Sequence, residues 1–298
     1  GPVAGRGMPG TKAVGGEPLL EALRRIHPDS STATLRRMLT EGRVEVDGEP
    51  VHKAKQDLQA GQTVEVVARA QKQVETPRHL QPAPVVDLDV LHEDDAILVV
   101  NKPAGLLSVA TDKLEEDTLH ARCVTHVRAL HGESAWIHIV HRLDRDTSGV
   151  MVLARHSRHK QALQEQFAER AVHRIYRALV EGRPEGDHGT VKQHLVEDDH
   201  LNVRAVKPGF RGAREAITHW RVLDADEHVA DVELLIETGR RHQIRMAMRA
   251  LGCPIVGDAL HGAESDPLKR VALHASALEF LHPEDDEPVR FQSEPPFV

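Results

Sequence analysis

The sequence predicts an α+β protein in two parts, a small α/β unit followed by a larger domain of strands and helices. Three observations carry this. Short apolar runs with strand-like alternation are interleaved with segments of helical spacing. A stretch at residues 69–88 holds Gln71, Lys72, Gln73, Thr76, Pro77, Pro82 and Pro84 with little apolar pattern, and reads as a linker. The 298 residues, 40% hydrophobic and 28% charged, suit a soluble globular chain able to bury a substantial core.

Residues 1–16 are rich in Gly, Ala and Pro and are expected to be disordered. The first unit is expected over residues 17–68. Leu19, Leu20, Leu23 and Ile26 have helical spacing, and a second short helix runs from Thr34 to Leu39 with Ser30, Ser31 and Thr32 as candidate caps. Val44-Glu-Val46, the Asp47-Gly48 turn and Val64-Glu-Val66-Val67 then read as hairpin strands.

The larger domain is expected over residues 89–298. Leu91 to Gly105 reads as a strand ending in a tight turn at Pro103 and Gly105, and Ser157 to Ala171 as a helix burying Ala162, Leu163, Phe167 and Ala171. Arg174 to Val180 and Glu215 to Trp220 read as strands, with Trp220 in the core. A strand from Leu234 runs into Thr238-Gly239, and a helix carrying Arg240, His242, Gln243, Arg245 and Arg249 follows. Arginines at a helix start suit phosphate, although a solvated basic helix has the same composition.

Apolar runs are short, so no membrane span is expected, and the first residues lack a signal-peptide pattern. Cys123 and Cys253, the two cysteines, are far apart and in no metal-ligand spacing; they read as buried reduced thiols in a cytoplasmic protein. The net charge of −8 does not by itself point to nucleic acid, although a local basic face is compatible with it.

The most informative stretch is His141-Arg-Leu-Asp-Arg-Asp-Thr-Ser-Gly149, between apolar runs at Ala135–Val140 and Val150–Ala154. On composition alone it is a charged surface turn, with Asp146, Thr147 and Ser148 bonding locally. As a string it resembles the signature of the RluA-type pseudouridine synthases. Further strings in the same order extend the resemblance: Glu93-Asp with Asn101-Lys-Pro-Ala-Gly105, Arg174-Ile-Tyr176, Thr238-Gly-Arg-Arg-His-Gln-Ile-Arg245, Leu251-Gly-Cys-Pro-Ile-Val-Gly-Asp258 and Leu273-His-Ala275. In the smaller unit, Leu35 to Gly48 resembles an S-four-type RNA-binding domain, with Arg36, Arg37 and Arg43 as candidate RNA contacts; where such domains carry a Ser-Arg pair, Ser30-Ser31-Thr32 stands.

The resemblance implies a pseudouridine synthase fold, a mixed and largely antiparallel sheet with helices around a central cleft. It implies Asp144 as the catalytic carboxylate, Arg245 as its ion-pair partner and Tyr176 as the ring that stacks on the target base. Arg142, Arg240, His242, Gln243 and Leu273 are then substrate contacts, and Lys102 a candidate phosphate contact. The implied partner is RNA, large-subunit ribosomal RNA ahead of transfer RNA, acted on by a monomer. The implied isomerisation has no redox step and needs no cofactor or metal. Two other readings stay open at this stage: a catalytically silent RNA-binding or ribosome-assembly protein, and a glycosidase pairing Asp144 with Asp146.

Overall fold

A computed structural model of the chain describes residues 11–12, 16–66 and 87–298. It divides into two compact units, Gly1–Arg78 and His79–Val298. The linker expectation at 69–86 and most of the disorder expected at 1–16 lie outside the described residues. Thr11–Lys12 departs from that expectation by forming a strand, β1.

In the first unit α1 (Leu19–Ile26) and α2 (Thr32–Thr40) are followed by β2 (Val44–Val46), β3 (Glu49–Pro50) and β4 (Thr63–Val66), in the sheet order β1-β4-β2-β3. Ser31 caps α2, its Oγ accepting from Thr34 N at 3.2 Å, which satisfies one orphan donor of the first turn. Asp47 and Gly48 both take positive φ (51° and 83°), as a two-residue hairpin turn requires. The Asp47 carboxylate also accepts from Thr63 N at 2.8 Å, tying the turn to β4. Leu19, Leu23, Leu35, Leu39, Val44 and Val64 form the core of this unit.

The second unit is built on an eleven-stranded sheet. In chain order it comprises β5 (Asp89–Glu93), β6 (Ile97–Lys102), α3 (Leu119–His131), β7 (His138–Ile139), β8 (Ser148–Ala154), α4 (Ser157–Ala168), β9 (His173–Glu181), β10 (His188–Glu197), β11 (Val203–Val206), β12 (Arg214–Ala225), β13 (Val229–Ile236), α5 (Gln243–Ala250), β14 (Leu273–Leu281) and β15 (Pro288–Gln292). The sheet order is β11-β10-β12-β13-β9-β14-β8-β6-β5, with β15 on β14 and β7 on β8. Every pairing is antiparallel except β8 with β14. No helix among the described residues is long and apolar enough to cross a membrane.

Residues 97–100 of β6 and 150–154 of β8 are continuous apolar runs because both faces of the sheet are covered there. Leu98, Val100, Met151 and Leu153 pack under α3, while Ile97, Val99, Val150 and Val152 pack under α4, as the two-residue period of a strand dictates. A separate core gathers Val180, Trp220, Val232, Leu234, Met248 and Ile255 around α5.

Several element expectations are corrected. Leu91 to Gly105 is a hairpin rather than one strand, because the Asp94 carboxylate accepts from Ala96 N (2.8 Å) and Ile97 N (2.9 Å) and turns the chain. Of the apolar run at Ala135–Val140, which reads as a strand by composition, only His138–Ile139 forms one. The helix from Ser157 stops at Ala168, where Arg170 takes φ +57° and reverses the chain, which leaves Ala171 exposed. The helix expected to carry Arg240 and His242 begins only at Gln243.

The parallel junction is short and close. Gly149 lies opposite Ala275, and Ala275 in turn lies opposite Tyr176 of β9. Gly149 has φ +126°, and a Cβ there would lie 2.2 Å from Ala275 O, so glycine is required on two counts. One residue earlier, Ser148 Oγ lies 2.7 Å from His274 Nδ1 and accepts from Arg270 Nη2 at 2.8 Å. His274 Nε2 donates to Ser293 O at 3.0 Å, so its ring is the Nε2–H tautomer and Ser148 donates to Nδ1. Gly149→Ala is expected to cost at least about 3 kcal/mol, from overpacking and backbone strain together, read as a lowered urea midpoint.

Candidate active site

A cleft of about 700 Å³ opens beside this junction. Asp144 reaches it from the connection between β7 and β8, Tyr176 and Arg174 from β9, Leu273 from the start of β14, and residues 239–245 from the β13–α5 turn and the first turn of α5. The connection is fixed by bonds to the segment after β6. Ser108 Oγ donates to Leu143 O at 2.6 Å and accepts from Leu143 N at 3.1 Å, and Gly105 N donates to Arg145 O at 2.8 Å. Leu143 is buried as an apolar anchor, while Arg142 and Arg145 stay exposed on either side of Asp144. Among the described residues the Asp144 carboxylate makes no ion pair.

The lining combines basic and apolar side chains. Arg142, Arg145, Arg174, Arg240, Arg241 and Arg245 line the cleft together with Asp144, Asp146 and Glu197, and Ile236, Ile244 and Leu273 are among its apolar lining. That excess of cations stands out against a chain of net charge −8. Arg174 is packed over the Phe167 ring (5.5 Å), and its Nη1 lies 2.6 Å from where a Cβ on Gly239 would be. Burial, together with neighbouring Arg240, lowers its pKa.

Tyr176 touches the cores on both sides of the junction. Burial pushes its phenol up to about 12, and the charge of Asp144 adds to the shift. Its hydroxyl is therefore a neutral donor at physiological pH and its ring an apolar face. His141 accepts from Val152 N through Nε2 at 3.1 Å and stacks on Phe167 (centroids 4.8 Å apart); burial and Arg174 pull its pKa down to about 3. It is thus a neutral wall residue that holds the loop to β8.

The sequence matches the family of RNA pseudouridylate synthases over residues 96–250. The chain belongs to this family. A Xanthomonas campestris pv. campestris protein named ribosomal large subunit pseudouridine synthase D is 37% identical over 282 residues, which cover 90% of this chain and 82% of its own length. The dual-specificity RNA pseudouridine synthase RluA of Vibrio parahaemolyticus is 41% identical over 203 residues, 65% of this chain and 78% of its own. The solved structure titled human RNA pseudouridylate synthase domain containing 4 superposes with a TM-score of 0.59 at 28% identity, covering 70% of this chain and 88% of the other. These RluA- and RluD-type relatives carry the names of isomerases.

Within this synthase, Asp144, Tyr176, Arg245, Arg142, Arg240, His242, Gln243 and Leu273 all line one cleft. Three expected roles change. Lys102 is fully buried and is no phosphate contact: its Nζ donates to Leu106 O (2.6 Å), Pro103 O (2.9 Å) and Arg145 O (3.0 Å). Burial draws its pKa down to about 7, while the three acceptors call for the three N–H bonds of the ammonium form. Gln243 is a buried brace. Its Oε1 accepts from Thr238 Oγ1 (2.7 Å) and Arg240 N (3.1 Å), and its Nε2 donates to Ile217 O (2.9 Å). Arg245 does not pair with Asp144: its Nη2 and Nε donate to the two carboxylate oxygens of Asp258 at 2.7 and 3.0 Å.

In the first unit, Arg36 is exposed, while Arg37 and Arg43 flank Glu41 at 3.9 and 3.7 Å. Sequence reasoning gave no role to Ser108, Arg270, Asp258 or His261. The only signal for Asp258 was its place after Gly257 in a string shared with the family.

His141, His261 and His274 are all neutral in the folded protein, His261 and His274 being pulled to about 4 by burial. Unfolding restores ordinary histidines, so below about pH 6.5 the unfolded chain binds more protons. Stability is therefore expected to fall as pH drops from about 6.5 to 4, measured as urea midpoints across pH. His274→Gln should lower the midpoint at pH 7 and flatten that slope.

Proposed function

We propose that this synthase converts uridines to pseudouridine in structured RNA, with large-subunit ribosomal RNA as the first substrate to test, and that Asp144 is its acting carboxylate. The observation that carries the reading is the unpaired Asp144 carboxylate, held on a clamped loop in a cleft walled by arginines beside Tyr176. Pseudouridine formation breaks the base–sugar C–N bond, turns the uracil and joins carbon 5 to the sugar. Electrons balance within the nucleotide, so the chemistry proposed uses no cofactor. It asks for an ionised carboxylate at the ribose, which attacks the sugar carbon or removes a sugar proton. It also asks for shelter from water, which would otherwise trap an abasic site.

The target uridine has to leave its stack to reach Asp144. Tyr176 offers the apolar face that receives the uracil, and Leu273 forms the floor below it. Arg142 and Arg145, exposed beside Asp144, meet the RNA around the displaced nucleotide. Arg240, whose Nε is fixed on Glu215 O at 3.0 Å, turns its remaining edge to phosphate. Asp146 serves the electrostatics of the turn: its charge acts on Lys102 and Arg270 behind the loop. The smaller unit is proposed as an accessory RNA contact through the exposed Arg36.

RNA labelled with tritium at uracil carbon 5 tests the reading. Ribosomal RNA is expected to release tritium, and Asp144→Asn to cut the rate by about 10³-fold or more with the melting temperature unchanged. Release by the variant at the wild-type rate would sink the assignment. Tyr176→Phe keeps the stacking face and is expected to stay within about tenfold of wild type, while Tyr176→Ala should weaken substrate capture by about 1–3 kcal/mol, read as KM for the same RNA.

A further inference from the structure

Asp258 is almost wholly buried at 1% exposure, and a buried carboxylate demands a permanent partner. Arg245 supplies it through Nε and Nη2. The remaining nitrogen, Nη1, lies 3.3 Å from His242 Nε2 in the cleft wall that also holds Asp144. His242 Nδ1 is 3.0 Å from His261 Nε2, and His261 N donates to Asp258 O at 3.1 Å. The contacts thus close a ring from Asp258 through Arg245, His242 and His261 back to Asp258.

Tautomers in the ring are fixed by its cation. A guanidinium only donates, so His242 Nε2 accepts, Nδ1 carries the proton, and His261 Nε2 accepts in turn. The His261 proton then sits on Nδ1, which is buried without a hydrogen-bond partner. Two features of local geometry hold the ring in place. His242 takes a left-handed φ of 55°, and Gly257 sits where a Cβ would lie 2.0 Å from Arg270 O. The left-handed backbone of His242, a non-glycine residue, is the strained one of the two, and such strain is kept when a neighbouring group has to be aimed.

We propose that Asp258 is a positioning residue for this reaction, an inference that rests on the reading of Asp144 given above. It grips two nitrogens of Arg245, presents Nη1 alone to the cleft, and keeps the guanidinium from forking onto Asp144 before RNA is bound. Asp144 thereby stays free for the ribose, while Arg245 keeps one edge for the RNA-bound state.

The test uses the full chain and two readouts. The first is the arginine Nε–H spectrum, with the Arg245 signal assigned by its loss in Arg245→Lys. Slow solvent exchange of this proton is expected in wild type and in Asp144→Asn, and fast exchange in Asp258→Asn. The second is tritium release. Asp258→Asn is expected to lower kcat by about 10²-fold, with KM for RNA within about threefold. Protection lost in Asp144→Asn, or kept in Asp258→Asn, would overturn the proposal. So would an unchanged kcat per folded molecule in Asp258→Asn. If Asp258→Asn does not fold, the spectrum of Asp144→Asn still decides the matter. The spectral arm needs no turnover, so a wild-type protein without tritium release but with Arg245 held by Asp258 would locate the failure in the assigned reaction.

Discussion

The site depends on one close approach between two strands. β8 and β14 meet in parallel over two residue pairs, and the Gly149–Ala275 contact admits no side chain on β8. This junction joins the half-sheet under α3 and α4 to the half-sheet around α5. It also sets the spacing of the groups that matter. The loop bearing Asp144 enters β8 just before Gly149, and Tyr176 stands opposite Ala275 on the next strand. A shift of one residue at this point would turn the side chains of β14 to the wrong face and separate the loop from the ring. The Ser148–His274–Arg270 bonds pin the register from behind, and the neutral imidazole is what allows the serine to donate forward and accept from the arginine.

Charge is distributed in the same economical way. The protein is acidic as a whole, yet the cleft collects six arginines around Asp144. Whole-chain charge governs solubility and long-range encounter, while the local arrangement governs the field a phosphate meets in the cleft. The lysine of the Asn-Lys-Pro string takes no part in that field. Its ammonium is spent on three carbonyls, and through Arg145 O it draws the Asp144 loop onto the end of β6.

The strands, the helices and the membership of the cleft were largely legible in the sequence, because periodicity and contiguous motifs are local properties. The histidine-to-glycine string and the tyrosine on β9 could each be placed on an element before any contact was known, whereas Arg240 and His242 were put on a helix that begins only at Gln243. What a polar atom bonds to was not legible. Lys102, Gln243 and Arg245 all belong to strings that suggest substrate contact, and all three are turned inward by partners far away or unmarked in the chain. Lys102 meets Arg145 across 43 positions, Gln243 meets Ile217 across 26, and Arg245 meets Asp258 across 13. Single residues that reverse the chain, such as Arg170 after α4, were also missed, since a positive φ on a non-glycine residue leaves no compositional trace.

The parallel junction has a consequence for how the protein comes into being. Ser148 and His274 are 126 positions apart, so the strand that completes the cleft is made long after the loop that carries the carboxylate. Contacts of such separation are slow to form, because a long loop has to close before they give any return. On the ribosome, β5 to β8 can pair as they emerge, but Gly149 waits with an open strand edge until residue 275 is available. The growing chain therefore holds Asp144 without the wall of Tyr176 locked behind it. The cleft is completed only when β14 takes its place between β8 and β9.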